Sequence, residues 1–292
     1  MATLRELKGR IGSVASTEKV TSAMKMISSA KMHKSAQALK RLLPFRNQIQ
    51  SIISHLLAAD GDYNSPLIEV RDVKKIAIVT FGSDDGLCGA YNINIVKNLL
   101  VQIKNVREQY GKGVKIIVYP IGGKVVKAVG KVKGVEVKEA PINTRSNREQ
   151  LTEFTEMLKE QFLDHEIDAV KLLYMHFHSV SKQTIQFDQF LPVSNKDLMA
   201  KGSKKSLNRS CIFEPDANAI FGSVLPLYIM SVMQEIFTES TASEQSARVM
   251  AMQTANDNAN NLLEELQLDY NKMRQQSITT ELLDILGGQV ER

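Results

Sequence analysis

Toward both ends of the chain, apolar residues recur in alternating steps of four and three, while the middle shows short apolar runs broken by turns. From Leu227 to Leu286 there is neither glycine nor proline. A continuous helix of that length would reach roughly 90 Å, beyond the diameter of a compact domain of this size. Such a helix needs a partner along its length. Within it Gln245, Val249, Met252, Asn256, Ala259, Leu263, Leu266, Tyr270, Met273 and Ser277 keep the period of a coiled-coil seam. The Gln, Asn, Ala and Ser at these positions favour close approach and a defined register over maximum burial.

The partner is expected at the other end of the chain. Leu4, Leu7, Ile11 and Val14 begin a heptad pattern, and Leu42, Ile49, Ile53 and Leu56 resume it after a segment rich in Ala, Ser, Met and Lys. Gly9 and Gly12 weaken the first turns. Pro44 predicts a kink rather than an end, and Gly61 and Asp62 predict the stop. The spacing therefore assigns residues 1–60 and 210–286 to two coiled-coil helices.

Charge supports pairing them. Residues 1–46 carry ten Lys or Arg against two acids, and residues 227–292 carry ten acids against four basic residues. Opposite charge on the flanks of a coiled coil selects partner and orientation more than it adds stability. The simplest arrangement is antiparallel and within one chain.

Residues 74–195 have a different character. Ile76–Phe81 reads as a buried strand, followed by a glycine-bearing turn and a helix over about 93–110. Lys115–Ile121 reads as a second strand, 122–129 as a short helix, and 147–163 as a longer helix with Leu151, Phe154, Leu158 and Phe162 inward. Two strands, 169–178 and 184–193, form an antiparallel hairpin around 180–182. The alternation predicts a Rossmann-like α/β layer with an antiparallel edge. Lys201–Arg209 reads as a polar connector.

Composition narrows the function classes. The net charge of +5 weakly suggests an anionic partner, but much of the excess lies on the N-terminal helix, where the acidic C-terminal helix can answer it. Cys88 and Cys211 cannot form a secreted disulfide framework, which favours a reducing compartment. No apolar run approaches about 18 residues, which excludes a membrane span on this reading, and the basic, Ser-rich start fits the heptad pattern, so it reads as mature protein rather than a transit peptide.

Candidate chemistry is sparse. Gly82–Gly89 follows the first strand where a phosphate-binding turn would stand, yet it lacks both GxGxxG and the Walker ending, and Asp84 and Asp85 would repel phosphate. His176 and His178 share one face of a strand, with no carboxylate or Cys at matching spacing for a metal. Neither a catalytic set nor a cofactor is expected.

Four segments carry a family resemblance. Lys19–Lys31 (KVTSAMKMISSAK), Ser83–Asn92 (SDDGLCGAYN), Ser243–Met252 (SEQSARVMAM) and Tyr270–Glu281 (YNKMRQQSITTE) resemble, in order and spacing, the gamma subunit of F-type ATP synthases of bacterial type. The resemblance runs from about residue 3 to the end. It implies the central rotor shaft: two long helices forming an antiparallel, left-handed coiled coil inside a ring of alpha and beta subunits, and an α/β foot on the membrane ring of c subunits, near the small epsilon subunit. It implies one copy per complex, no catalytic site in this chain, and a place at the cytoplasmic side of the inner membrane. Proton flow would turn the shaft, coupling rotation to ATP synthesis or hydrolysis.

The resemblance also implies residue roles. Arg274 and Gln275 match the pair caught by a loop of beta, and Arg248, Met24 and Lys25 match positions near the beta lever. Phe213, Glu214 and Asp216 match the foot segment near the c ring and epsilon. Asp85 stands where the family usually has Arg. Two other classes remain open at this point: a coiled-coil scaffold binding nucleic acid through a free basic face, and a nucleotide-dependent enzyme on the α/β layer.

Overall fold

The computed structural model describes residues 3–58, 63, 65–111, 113–194, 198, 214 and 216–290. The chain divides into two compact units, one formed by Met1–Ser29 with Arg248–Arg292 and the other by Ala30–Ala247. Two long helices, α1 (Leu4–Ala58) and α5 (Ala217–Val290), contribute to both.

α1 runs through Pro44 as a single helix. Its seam is continuous. Residues 4, 7, 11, 14, 18, 21, 25, 28, 32, 35, 39, 42, 46, 49, 53 and 56 alternate steps of three and four, and none of them is exposed. The apolar pattern pauses between Val14 and Met32 because Glu18, Thr21, Lys25 and Ser28 take the seam positions there. A small or polar residue can occupy a seam position without changing the period.

α5 starts within the expected 210–286 and passes beyond it at its end. It begins ten residues before Leu227, runs through Gly222 and Pro226, and passes Gly287 and Gly288. A proline in a helix clashes with the carbonyl four residues earlier, and here that residue is Gly222, whose backbone yields most readily. α5 also contains a stretch long and apolar enough to cross a bilayer by length and composition alone. The expectation from uninterrupted apolar runs missed it. Its apolar side chains Phe221, Leu225, Tyr228, Ile229, Met233 and Ile236 lie in a protein core.

In the terminal unit, Gly9, Arg10, Val14, Leu262 and Leu266 line one groove, and Lys25 meets Gln253, so the two helix segments run antiparallel. After Ala255, the only α5 residues up to Leu286 that are not exposed are 256, 259, 263, 266, 270, 273 and 277, which are the seam positions.

The second unit holds a five-stranded sheet ordered β3-β2-β1-β4-β5, with β1 Lys75–Phe81, β2 Lys115–Ile121, β3 Glu136–Val137, β4 Ala169–Phe177 and β5 Gln183–Leu191. β5 is antiparallel to β4, and the other neighbours are parallel. β1 and β2 are buried on both faces after their first lysine, as parallel strands covered on both sides must be. Helices α2 (Tyr91–Tyr110) and α3 (Gly123–Val129) cover one face through Ile95, Leu99, Val125 and Val129. Helix α4 (Arg148–Leu163) covers the other, together with Ile49, Ile53 and Leu56 of α1 and the first turns of α5. α4 starts at a capping box in which Asn147 and Gln150 satisfy each other's backbone N–H groups. Two-residue β3 was absent from the sequence reading.

Candidate functional site

The glycine-bearing turn after β1 is locked from within. Ser83 Oγ donates to the Asp85 carbonyl at 2.7 Å, and Asn92 Nδ2 donates to Ser83 Oγ at 2.7 Å. Asp84 accepts from Gly123 N at 2.9 Å and from the Thr144 hydroxyl. Burial would raise the Asp84 carboxyl, but the bonds from Thr144 and Gly123 outweigh it and hold the group below its ordinary value. Gly122, at φ 101°, lies so close that a Cβ there would sit 2.8 Å from Gly82 C and Ser83 N. The turns after β1 and β2 thus pack backbone against backbone. A carboxylate fills the place where phosphate oxygens would need free N–H groups.

The turn's outer surface presents Asp85 and Leu87, with Arg145 Nη2 2.9 Å from Asp85 Oδ2. Arg145 comes from the loop before α4, so sequence reading could not connect it with the turn. Cys88 is buried against Ser83 and Asn92, which leaves it a packing role.

Two histidines separate in role. His176 Nδ1 lies 2.8 Å from Glu239 Oε2, tying β4 to α5, whereas His178 meets Thr184 at 2.9 Å and packs edge-on against the His176 ring, 4.4 Å between centroids. Arg46 of α1 stands 2.9 Å from Glu235 of α5 as a charge contact without hydrogen-bond alignment. Burial raises both Glu235 and Glu239 above the ordinary carboxylate value, against the lowering influence of Arg46 and His176. Among the described residues no group of three or more His, Cys, Asp or Glu could hold a metal ion.

The positions singled out by resemblance fall into three sets. Arg274 and Gln275 are exposed on α5, and Met24 and Lys25 are half-buried on α1. Arg248 is only 4% exposed, so it sits inside the chain rather than on a free surface. Glu214 is exposed, Asp216 accepts from Ala219 N at 2.8 Å at the start of α5, and Phe213 lies outside the described residues, as does the connector at 201–209.

One surface escaped the sequence reading. Near its end α5 exposes Ile278, Leu282, Leu283, Ile285 and Leu286, each between 46 and 64% accessible. The signal was present: apolar residues continue after Ser277, but off the seam.

A family model described as ATP synthase matches residues 3–290. The ATP synthase gamma chain of Phocaeicola vulgatus is 40% identical over 292 residues, covering 99% of each chain. The chain belongs to the ATP synthase gamma-chain family. Gamma chains of Bacteroides thetaiotaomicron and Cupriavidus pinatubonensis are 38% and 33% identical, covering 100% and 99% of each partner in the comparison. Among solved structures, a chain of the Euglena gracilis mitochondrial ATP synthase in rotational state 3 aligns with TM-score 0.64 at 18% identity, covering 98% of this chain and 93% of that one. A chain from the central stalk and c ring of the Tetrahymena thermophila enzyme aligns with TM-score 0.56 at 22% identity, covering 81% and 99%. These two likenesses concern the fold. As a gamma-chain family member, this protein is part of a membrane-associated ATP synthase complex.

Proposed function

We propose that this chain is the central-stalk rotor, a non-catalytic subunit whose turning couples ion flow through the c ring to ATP synthesis or hydrolysis in an alpha/beta head. The observation that carries the reading is the full-length match to gamma chains on a chain whose two ends form an antiparallel helix pair. The seam supports it physically. Small and polar residues at Thr21, Ser28, Asn256 and Ala259 bring the helices close, giving a slender shaft, while the exposed apolar end of α5 suits a surrounding apolar sleeve.

An asymmetric shaft does work by contacting the conformations of its neighbours unequally, since a partner shifts an equilibrium only by its differential affinity for the states. Exposed Arg274 and Gln275 would meet a beta loop, the guanidinium gripping a carboxylate with two parallel bonds. Met24 and Lys25 would support the beta lever contact, and buried Arg248 would hold the shaft's own geometry. Glu214 and Asp216 would lie toward the c ring and epsilon, together with Phe213. Asp85 replaces the cation that the resemblance leads one to expect in the turn, and Arg145 beside it restores one from another segment. The complex would hold one copy of this chain, at the cytoplasmic side of the inner membrane.

ATP hydrolysis by the alpha and beta subunits of the same organism, with and without this chain, tests the reading. Activation with one copy per six-subunit head is expected. No complex and no activation would overturn it.

A further inference from the structure

Within the α/β unit the buried side of α5 changes chemistry along its length. Phe221, Leu225, Ile229 and Met233 lie in an apolar core. Beyond them Glu235, Glu239, Ser243 and Ser246, at steps of four, four and three, share one face of the helix and are 9% exposed or less. Each of these four meets a partner outside α5. Arg46 of α1 stands 2.9 Å from Glu235, and His176 of β4 stands 2.8 Å from Glu239. Ser243 Oγ donates to the Met175 carbonyl of β4 at 2.8 Å. Ser246 Oγ donates to the Val180 carbonyl in the turn between β4 and β5 at 2.6 Å, and accepts from Gln183 Nε2 at 3.0 Å. From the start of α2, the Tyr91 hydroxyl donates to the Ser240 carbonyl at 3.2 Å.

The apolar and polar contacts resist different motions. Apolar burial is non-directional, so a helix held by it alone can turn about its axis by exchanging one set of contacts for another. A hydrogen bond weakens steeply as its angle departs from linearity, and a buried hydroxyl or carbonyl that loses its partner bears the full cost of desolvation. The two serines bond to backbone carbonyls, which move only with the hairpin itself. Close approach of helix and sheet would be met by alanine, as it is at fully buried Ala242 beside them, without creating a hydroxyl that must be paired.

We infer that Ser243 and Ser246 are positioning residues that fix the rotational angle of α5 against the β4–β5 hairpin, so that turning of the α/β unit passes into the helix without slip. Ser246 stands two residues before Arg248, where α5 enters the terminal unit. The angle is thus set at the last turn of α5 inside the α/β unit. Glu235, Glu239 and Ser240 add bonds from α1, β4 and α2 along the two preceding turns. The inference rests on the rotor reading.

The test uses an immobilised alpha/beta head assembled with this chain, carrying Cys211→Ser and a bead on exposed α2 through Lys97→Cys. A non-hydrolysable ATP analogue arrests the head, and the angular distribution of the bead then reports the torsional give of the chain. Ser243→Ala combined with Ser246→Ala should widen that distribution. Ser246→Ala alone leaves the bond to Met175 and should widen it less, which gives a second variant if the double one does not assemble. The control is Ile229→Ala, which removes packing from the same helix without removing a hydrogen bond. It should lower the denaturation midpoint while leaving the angular width near that of the parent chain. An unchanged width in the serine variants, or equal widening by Ile229→Ala, would overturn the inference. Rotation of the parent chain under ATP separates the two readings. If the parent rotates and the serine variants are no wider, only the inference fails, whereas a parent that never rotates counts against the rotor reading itself.

Discussion

The ammonium of Lys25 lies 3.0 Å from the amide oxygen of Gln253, although 228 residues separate them in the chain. Gln253 in turn donates to Asp257 at 2.7 Å, so a cation from α1 is joined to a carboxylate of α5 through an amide. The pair sets the register of the two helices where the seam is small and polar. In chemical denaturation, Lys25→Met with Gln253→Leu should show a double-mutant coupling of about 0.5–1.5 kcal/mol. Strict additivity would mean that register is set by the apolar positions alone.

Two glycines should respond in opposite directions to alanine. Gly122 has φ 101° and no room for a Cβ, so Gly122→Ala should cost about 2 kcal/mol or more, from left-handed strain plus overpacking on Ser83. Gly9 lies in α1 with nothing within 4 Å of the added atom, so Gly9→Ala should gain about 0.5–1 kcal/mol. Thermal midpoints of the two variants check both signs.

The carboxyls Glu235 and Glu239 make stability pH-dependent. Burial raises both above 4.5, so in the window above that value the folded chain binds more protons than the unfolded one. Their contribution therefore falls as pH rises through the window, until both states are ionised. Glu239→Gln should flatten the decline and lose the His176 contact at once, giving its greatest relative benefit at the alkaline end. Asp84 acts oppositely, because its lowered carboxyl contributes stability that is lost as pH falls. Urea midpoints of wild type and Glu239→Gln across the pH range would reveal an unchanged slope if this account were wrong.

Arg274 is exposed, and its replacement should leave folding untouched. Arg274→Ala is expected to change the denaturation midpoint negligibly, by less than about 0.5 kcal/mol, while lowering ATP turnover of the assembled complex several-fold. Full turnover at full assembly would remove the torque contact from this position.

How far the chain was legible depended on what each element used as its signal. The seam of α5 was readable because residues 249–277 keep their period, and the strands because Ile76–Phe81 and Ile116–Ile121 are buried on both sides. The middle of α1 was not, since Glu18, Thr21, Lys25 and Ser28 occupy a seam without being apolar. Gly222 and Pro226 lie inside α5 although local propensity there opposes what packing of Phe221 and Leu225 enforces. The partnerships of Asp85 with Arg145 and of Ser246 with Val180 arise from loop return and tertiary packing, which no local pattern encodes.

The central claim is that this chain turns. With Cys211→Ser removing one native thiol and Cys88 buried, a single label can be placed by Lys97→Cys on the exposed side of α2. Alpha and beta subunits would be immobilised around the shaft and a bead attached to the label. Under ATP the bead should rotate in one direction, at a rate proportional to hydrolysis. Hydrolysis at full rate with a stationary or randomly fluctuating bead would contradict the rotor account.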